Sequence, residues 1–328
     1  MKIAFFSTKP YDKEFFEKYN QTNELAFYEV SLNESSAKLA EGFDAICIFV
    51  NDKINVSIIE KLAQAGIKLI ALRSAGFNNV DLDAAKKANI TVVRVPAYSP
   101  HAVAEHAVAL IMTLNRKTHK AYNRVREGNF SLEKLIGFDL FQKTVGIIGT
   151  GKIGEAFARI MLGFGCKVVA YDISQNQILI DLGIKYCSFD EVLQQADIIS
   201  LHCPLTDKTL HLIDKQAIAK MKNGIMLINT SRGALIDTPA VVEALKTKKL
   251  GYLGLDVYEQ EANIFFNDLS EEILVDDTLA RLMSFPNVLI TSHQGFLTEE
   301  ALTQISVITF NNITAFEQRK KSGNEVLI

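Results

Sequence analysis

The sequence predicts an α/β protein made of two doubly wound parallel-sheet domains, and three observations predict it. The first hundred of its 328 residues alternate short apolar runs with helical patterns. From Thr144 the alternation starts again, and its first strand runs through the glycine turn Gly149-Thr150-Gly151-Lys152-Ile153-Gly154 directly into a helix. A last amphipathic helix, 302–318, follows once that second series is complete, so it is free to pack back on the first domain. Alternation of this kind implies parallel strands with helices on both faces. The expected division is 1–99 with 297–328 for a discontinuous first domain, and 100–296 for a second domain inserted in it.

In the first domain, apolar runs at 2–6, 26–30, 45–50, 68–72 and 91–95 read as strands. Helical patterns fall between them at 12–19, 35–40, 56–65 and 81–88. The expected sheet is flavodoxin-like. Pro96 and Pro100 bracket a break, and 102–114 follows as a helix apolar nearly all round. Such a helix must be buried between layers or subunits, which makes it the entry to the second domain and a candidate dimer contact. Residues 128–141 read as a loop-rich approach to the glycine turn.

Six strands are expected in the second domain, at 145–148, 167–171, 198–201, 225–229, 254–257 and 288–291. The first of them carries the strand–turn–helix context of a dinucleotide fingerprint. Gly149 allows the sharp turn, Gly151 lets backbone approach a pyrophosphate, and Gly154 lets helix and strand pack closely. The helix start adds free N–H groups and the positive end of a dipole. Asp172 ends the next strand, eighteen residues beyond Gly154. A carboxylate there accepts ribose hydroxyls and repels a 2′-phosphate, so this Rossmann unit should take NAD rather than NADP.

Composition narrows the rest. Hydrophobic residues at 48%, charged residues at 22% and a net charge of −3 are globular proportions, without the basic footprint of a nucleic-acid or membrane-surface protein. The short basic runs at 246–249 and 319–321 read as solvated helix ends. Cys47, Cys166, Cys187 and Cys203 show no metal-ligand spacing, and no two histidines show zinc-ligand spacing, so no metal is expected. The first apolar run turns polar by Thr8, too soon for a signal sequence, and no run approaches membrane-spanning length. A cytoplasmic location fits these features.

Ligands of an open parallel sheet bind beyond the carboxyl ends of its strands. The residues just past three late strands are therefore the ones to inspect: Arg232 after the fourth, Glu261 after the fifth and His293 after the last. Reduction of a ketone by a nicotinamide leaves a developing alkoxide, which needs a proton donor titrating near neutrality. His293 suits that role, Glu261 would hold its ring, and the Arg232 guanidinium would grip a substrate carboxylate through two parallel hydrogen bonds. His202 also follows a strand, but an earlier one, where a loop over the adenosine or phosphates is expected. His101 and His106 read as capping or interface residues, His119 and His211 as surface positions. In the first domain, the small-residue turn of Ala75 and Gly76 could cup an anion with its amides, and Tyr98 could lean toward the same ligand; plain turn and packing roles are the alternatives.

These residues carry a resemblance. The glycine turn with Asp172, the run Asn229-Thr230-Ser231-Arg232-Gly233-Ala234, Gly254-Leu255-Asp256-Val257 with Glu261, and His293 resemble the D-2-hydroxyacid dehydrogenases over essentially the whole chain. Residues 50–52, 75–81, 95–98 and 202–206 are similar to its fermentative, D-lactate-forming branch. The resemblance implies NADH-dependent reduction of pyruvate with His293 as acid/base, Glu261 as its partner and Arg232 on the substrate carboxylate. It implies that Lys152, Ile153, Asp172, Cys203, Pro204, Thr209, Thr230, Ser231 and Asp256 line NAD. Ala75, Gly76, Tyr98 and Phe296 would meet the substrate. Thr209 stands where relatives often carry Asn, and Phe296 where relatives often carry Tyr. The D configuration of the product is implied by resemblance alone, as is a homo-oligomer, dimer or tetramer. Another 2-oxo acid, or an NAD-sensing corepressor role, remain the alternatives.

Overall fold

The computed structural model describes residues 1–326; Leu327 and Ile328, at the end of the expected 297–328 segment, lie outside the described residues. The chain divides into two compact units, Met1–Ser99 with Leu297–Ile328, and Pro100–Phe296.

The first unit is a five-stranded parallel sheet. Its elements in chain order are β1 (Lys2–Phe5), α1 (Pro10–Tyr19), β2 (Glu24–Phe27), β3 (Ala45–Ile48), α2 (Val56–Gln64), β4 (Leu69–Leu72), α3 (Leu82–Lys87) and β5 (Thr91–Arg94). The order β2-β1-β3-β4-β5 is that of the flavodoxin-like fold. β3 and β4 are buried at every position, as central strands covered on both faces must be. Helix starts are fixed by side chains: Asn55 accepts from the Ile58 amide and Asp81 from the Ala84 amide. The C-terminal helix Glu299–Glu317 completes this unit, stacking Phe310 edge-on against Phe16 of α1. Two expectations shift. β2 begins and ends earlier than 26–30, and 35–40 is a single 3-10 turn, Ala37–Ala40.

The second unit opens with α4 (Pro100–Arg116) and α5 (Thr118–Arg126). Then come β6 (Thr144–Ile148), α6 (Lys152–Gly163), β7 (Lys167–Tyr171), α7 (Gln177–Asp181), β8 (Lys185–Tyr186), α8 (Phe189–Gln195) and β9 (Ile198–Leu201). α9 (Lys215–Lys220), β10 (Ile225–Asn229), α10 (Thr238–Lys246), β11 (Leu250–Leu255), α11 (Asp277–Ser284) and β12 (Val288–Ile290) complete it. The sheet order is β12-β11-β10-β9-β6-β7-β8, all parallel, so the direction of winding reverses between β6 and β9. That switch point is where a doubly wound sheet opens a ligand crevice.

Several details differ here. The two-residue strand β8 makes the sheet seven-stranded rather than six, and α5 occupies a stretch with too polar a pattern to announce a buried helix. The fifth expected strand ends at Leu255, leaving Asp256 and Val257 in the loop beyond it. In α4, the apolar side chains Ala104, Ala107, Leu110, Ile111 and Leu114 are buried in this unit's own core. Gly254 makes the close approach possible: a Cβ there would stand 3.3 Å from the Leu110 Cβ and 3.2 Å from Leu114 Cδ1.

Candidate active site

The glycine turn is built by contact rather than by flexibility alone. Gly149 has φ +97°, and a Cβ on it would lie 2.5 Å from the Cys203 amide nitrogen. On Gly154 a Cβ would fall 2.0 Å from the Gly149 carbonyl oxygen, so only glycine lets α6 start where it does. A Cβ on Gly151, the N-cap of α6, meets nothing within 4 Å, which leaves the helix start open. Lys152 is exposed and Ile153 half-buried beside it. Asp172 follows β7, and its carboxylate accepts from the Thr150 amide at 2.5 Å, the Thr150 hydroxyl at 3.1 Å and the Ser174 amide at 3.0 Å. The Tyr186 hydroxyl, on β8, donates to Thr150 Oγ1 at 2.8 Å and so braces the same turn.

Beyond β9, the Cys203 carbonyl accepts the Ser231 hydroxyl at 2.7 Å, tying that loop to the one after β10. Burial pushes the Cys203 thiol up to about 11. Pro204 is exposed, and its carbonyl accepts from Thr209 Oγ1 at 2.7 Å; Thr209 thus shapes its own loop. The side chain of His202, whose loop was expected over the adenosine or phosphates, turns inward. Its Nε2 pairs with Ser200 Oγ at 2.9 Å, its ring packs on Phe157, and desolvation lowers its pKa to about 3. Thr230 is buried, with Oγ1 unpartnered among the described residues. The open helix start, the carboxylate after β7 and this orphaned hydroxyl fit a bound dinucleotide.

Arg232, Glu261 and His293 follow β10, β11 and β12, three neighbours in the sheet. Buried Asn229 shapes the first loop: its Oδ1 accepts the Ser231 amide at 3.0 Å and its Nδ2 donates to the Arg232 carbonyl at 2.8 Å. Arg232 Nη1 donates to the Ser231 carbonyl at 2.7 Å. Glu261 and His293 meet directly. Oε1 of the glutamate lies 2.7 Å from His293 Nδ1, and Oε2 accepts from the Tyr258 amide at 2.8 Å. A carboxylate only accepts, so Nδ1 carries the proton and Nε2 is the nitrogen left to exchange one. The Phe266 ring lies 5.9 Å from the imidazole centroid.

Asp256, read as a cofactor contact, also ties down the loop after β12. Its side chain is buried and accepts from the Thr291 hydroxyl and from the Gln294 and Gly295 amides. Burial works against its ionisation, but hydrogen bonding and charge from His106, the Thr291 hydrogen bond and His293 outweigh it and hold the carboxyl below the usual range. His106, read as a capping or interface residue, thus bonds to this loop. His211, expected as a plain surface residue, pairs with Glu259 at 2.9 Å, and partial burial lowers the pKa of His119. Phe296 is buried at the end of this unit. Ala75, Gly76 and Tyr98 belong to the first unit. There the Ala75 carbonyl accepts from Arg94 at 2.8 Å, the Gly76 carbonyl accepts from Ser74 Oγ at 2.9 Å, and Tyr98 is half-buried.

A dinucleotide turn at a switch point and a histidine–carboxylate pair on the same rim define an NAD-dependent dehydrogenase. The model of the D-isomer specific 2-hydroxyacid dehydrogenase NAD binding domain matches residues 108–295. The chain is 51% identical over 329 residues to a D-lactate dehydrogenase of Escherichia coli (strain K12), covering 100% of each. It is 54% identical over 331 residues to a 2-hydroxyacid dehydrogenase homolog of Haemophilus influenzae, covering 100% of this chain and 99% of that one. Among solved structures, the apo D-lactate dehydrogenase from Escherichia coli aligns with TM-score 0.92 at 50% identity, again over 100% of each chain. A D-lactate dehydrogenase from Aquifex aeolicus, complexed with NAD and lactic acid, aligns with TM-score 0.87 at 35% identity over 99% of this chain and 98% of that one. The chain belongs to the D-isomer specific 2-hydroxyacid dehydrogenase family.

Proposed function

We propose that this enzyme reduces pyruvate to D-lactate with NADH, reversibly, and that His293 is its acid/base. The observation that carries the reading is the 2.7 Å pairing of His293 Nδ1 with Glu261, which leaves Nε2 free. The chemistry that NAD supplies when bound is hydride transfer. In reduction, Nε2 of a protonated His293 gives its proton to the ketone oxygen, and Glu261 stabilises the charged ring and fixes its tautomer. Oxidation needs the neutral ring to take that proton back. Arg232 holds the substrate carboxylate, the task for which a planar two-pronged donor is suited. Gly149, Gly151, Lys152, Ile153 and Gly154 receive the pyrophosphate, and Asp172 the adenosine ribose. Cys203, Pro204, Thr209, Thr230, Ser231 and Asp256 line the rest, while Ala75, Gly76, Tyr98 and Phe296 are assigned to the substrate.

The choice of pyruvate is supported by the names of the similar D-lactate dehydrogenases. NADH oxidation across pyruvate, hydroxypyruvate, glyoxylate and phenylpyruvate, with the chirality of the product determined, tests it. Preference for another oxo acid would move the substrate and keep the mechanism; absence of turnover with all four would remove both.

We also propose a homo-oligomer. Large apolar side chains stand exposed along one segment of the second unit: Tyr122, Val125, Phe130, Leu132, Ile136 and Phe141. Such clustering marks a surface that another copy of the chain covers. A cytoplasmic location is supported by four free cysteines; among the described residues no helix is long and apolar enough to cross a membrane.

A further inference from the structure

The loop that carries His293 is held by one carboxylate. Asp256 Oδ1 accepts from Thr291 Oγ1 at 2.6 Å and from the Gln294 amide at 2.9 Å, and Oδ2 accepts from the Gly295 amide at 2.8 Å. The Asp256 carbonyl also accepts the His293 amide, at 2.7 Å. Every residue from 293 to 295 is thereby tied to one position at the end of β11. The remaining partner comes from α4. His106 Nε2 lies 3.0 Å from Thr291 Oγ1 and 3.2 Å from Asp256 Oδ1, with only 14% of its side chain exposed. His106, Leu110 and Leu114 are spaced by four, so they share one face of α4. Gly254 seats that face on β11, and Gly295 leaves room for the carboxylate: a Cβ there would stand 2.9 Å from Asp256 Oδ2.

We propose that His106 is a positioning residue for the acid–base step: by bridging Asp256 and Thr291, it fixes the carboxylate that sets the 293–295 backbone and hence the place of the His293 ring. The proposal rests on His293 being the acid/base. Hydrogen-bond bookkeeping fixes the tautomer. The Thr291 hydroxyl spends its proton on Asp256, so Nε2 of His106 faces two oxygens with lone pairs and must itself be the donor. The titratable groups acting on Asp256 are His106 from α4 and His293 from the loop after β12. Removing the His106 donor should let Asp256 protonate at higher pH, and the protonated acid no longer holds the loop amides as firmly.

The test compares His106→Leu, His106→Gln and Thr291→Val with wild type, in kcat and KM for pyruvate with NADH across pH and in NADH affinity by fluorescence. His106→Leu should lower kcat about tenfold or more with NADH affinity changed less than about threefold. It should move the acid limb of the kcat profile upward by about half a unit or more. His106→Gln, whose amide nitrogen can occupy the Nε2 position, should restore most of both. Nitrogen-15 imidazole spectra of the ligand-free enzyme should show His106 protonated at Nε2. Wild-type turnover and an unmoved acid limb in His106→Leu overturn the proposal. So does a lowered Tm with an unmoved limb, which is what loss of packing alone would give, and so does an Nδ1–H tautomer. If His106→Leu does not fold, Thr291→Val decides by the same limb. His293→Gln is run alongside. If it keeps wild-type turnover, the acid–base reading fails; if it loses turnover while His106→Leu does not, only the positioning role fails.

Discussion

His293 occupies a left-handed backbone conformation, φ +52°, which costs a non-glycine residue about 1 kcal/mol or more. The 2.7 Å bond from its amide to the Asp256 carbonyl and the grip of Asp256 on the next two amides hold it there. At this scale three substitutions read out the assigned roles. Glu261→Gln keeps shape but loses the charge beside Nδ1, and kcat for reduction should fall about 10²-fold while NADH affinity holds; unchanged kcat would dissolve the pair. Arg232→Lys should raise KM for pyruvate about 10²-fold, because a point charge cannot replace the fork. If NADH binding weakens in proportion, Arg232 serves the cofactor instead. Asp172→Ala should narrow the preference for NADH over NADPH. It also releases Thr150 and Ser174, so NADH itself should bind less well. A variant with wild-type selectivity would end the ribose assignment.

Elements show what a sequence can and cannot disclose. β3, β4, β7, β9 and β10 were legible because both faces of each are covered, so the apolar run and the strand coincide. The glycine turn was legible because its contacts are local: Gly154 packs on Gly149, five residues away. The end of β11 was not, since Asp256 and Val257 are as buried as strand residues but already belong to the loop. His106 was missed for a related reason: Asp256 and Thr291, its partners, lie 150 and 185 positions along the chain, and nothing in the pattern of α4 points at them. His202 joins β9 to the core of its unit and gives this scale a pH prediction. Its folded pKa, about 3, lies below the unfolded value near 6.5, so the unfolded chain takes up a proton first on acidification. Stability from this residue is complete above pH 6.5 and is lost as pH falls toward 3. Urea unfolding should show about 2 kcal/mol less stability at pH 5 than at pH 7 from this cause, and His202→Leu should flatten that slope. The glycine turn gives another: Gly154→Ala drives a methyl into the Gly149 carbonyl, so NADH binding should be lost and Tm lowered.

For the whole molecule, the largest exposed apolar surface lies just past α4, where Phe130, Leu132 and Ile136 are 76%, 80% and 86% exposed. Sedimentation should find the wild type as a dimer or tetramer, and Leu132→Asp with Ile136→Asp should shift it to monomer. A wild type that sediments as a monomer would leave these side chains without a partner. The fold class, by contrast, was readable at this scale because alternating strands and helices joined by right-handed crossovers imply parallel sheets covered on both faces.

The backbone angle at His293 bears on how the enzyme can be disarmed. Asparagine is among the few residues that tolerate a left-handed conformation readily, so His293→Asn should silence proton transfer while leaving the turn in its native shape. β-branched replacements would instead push the 294–295 amides off Asp256 and blur a chemical lesion with a mechanical one. Such a variant offers a way to capture oxo acid and reduced cofactor together before either reacts.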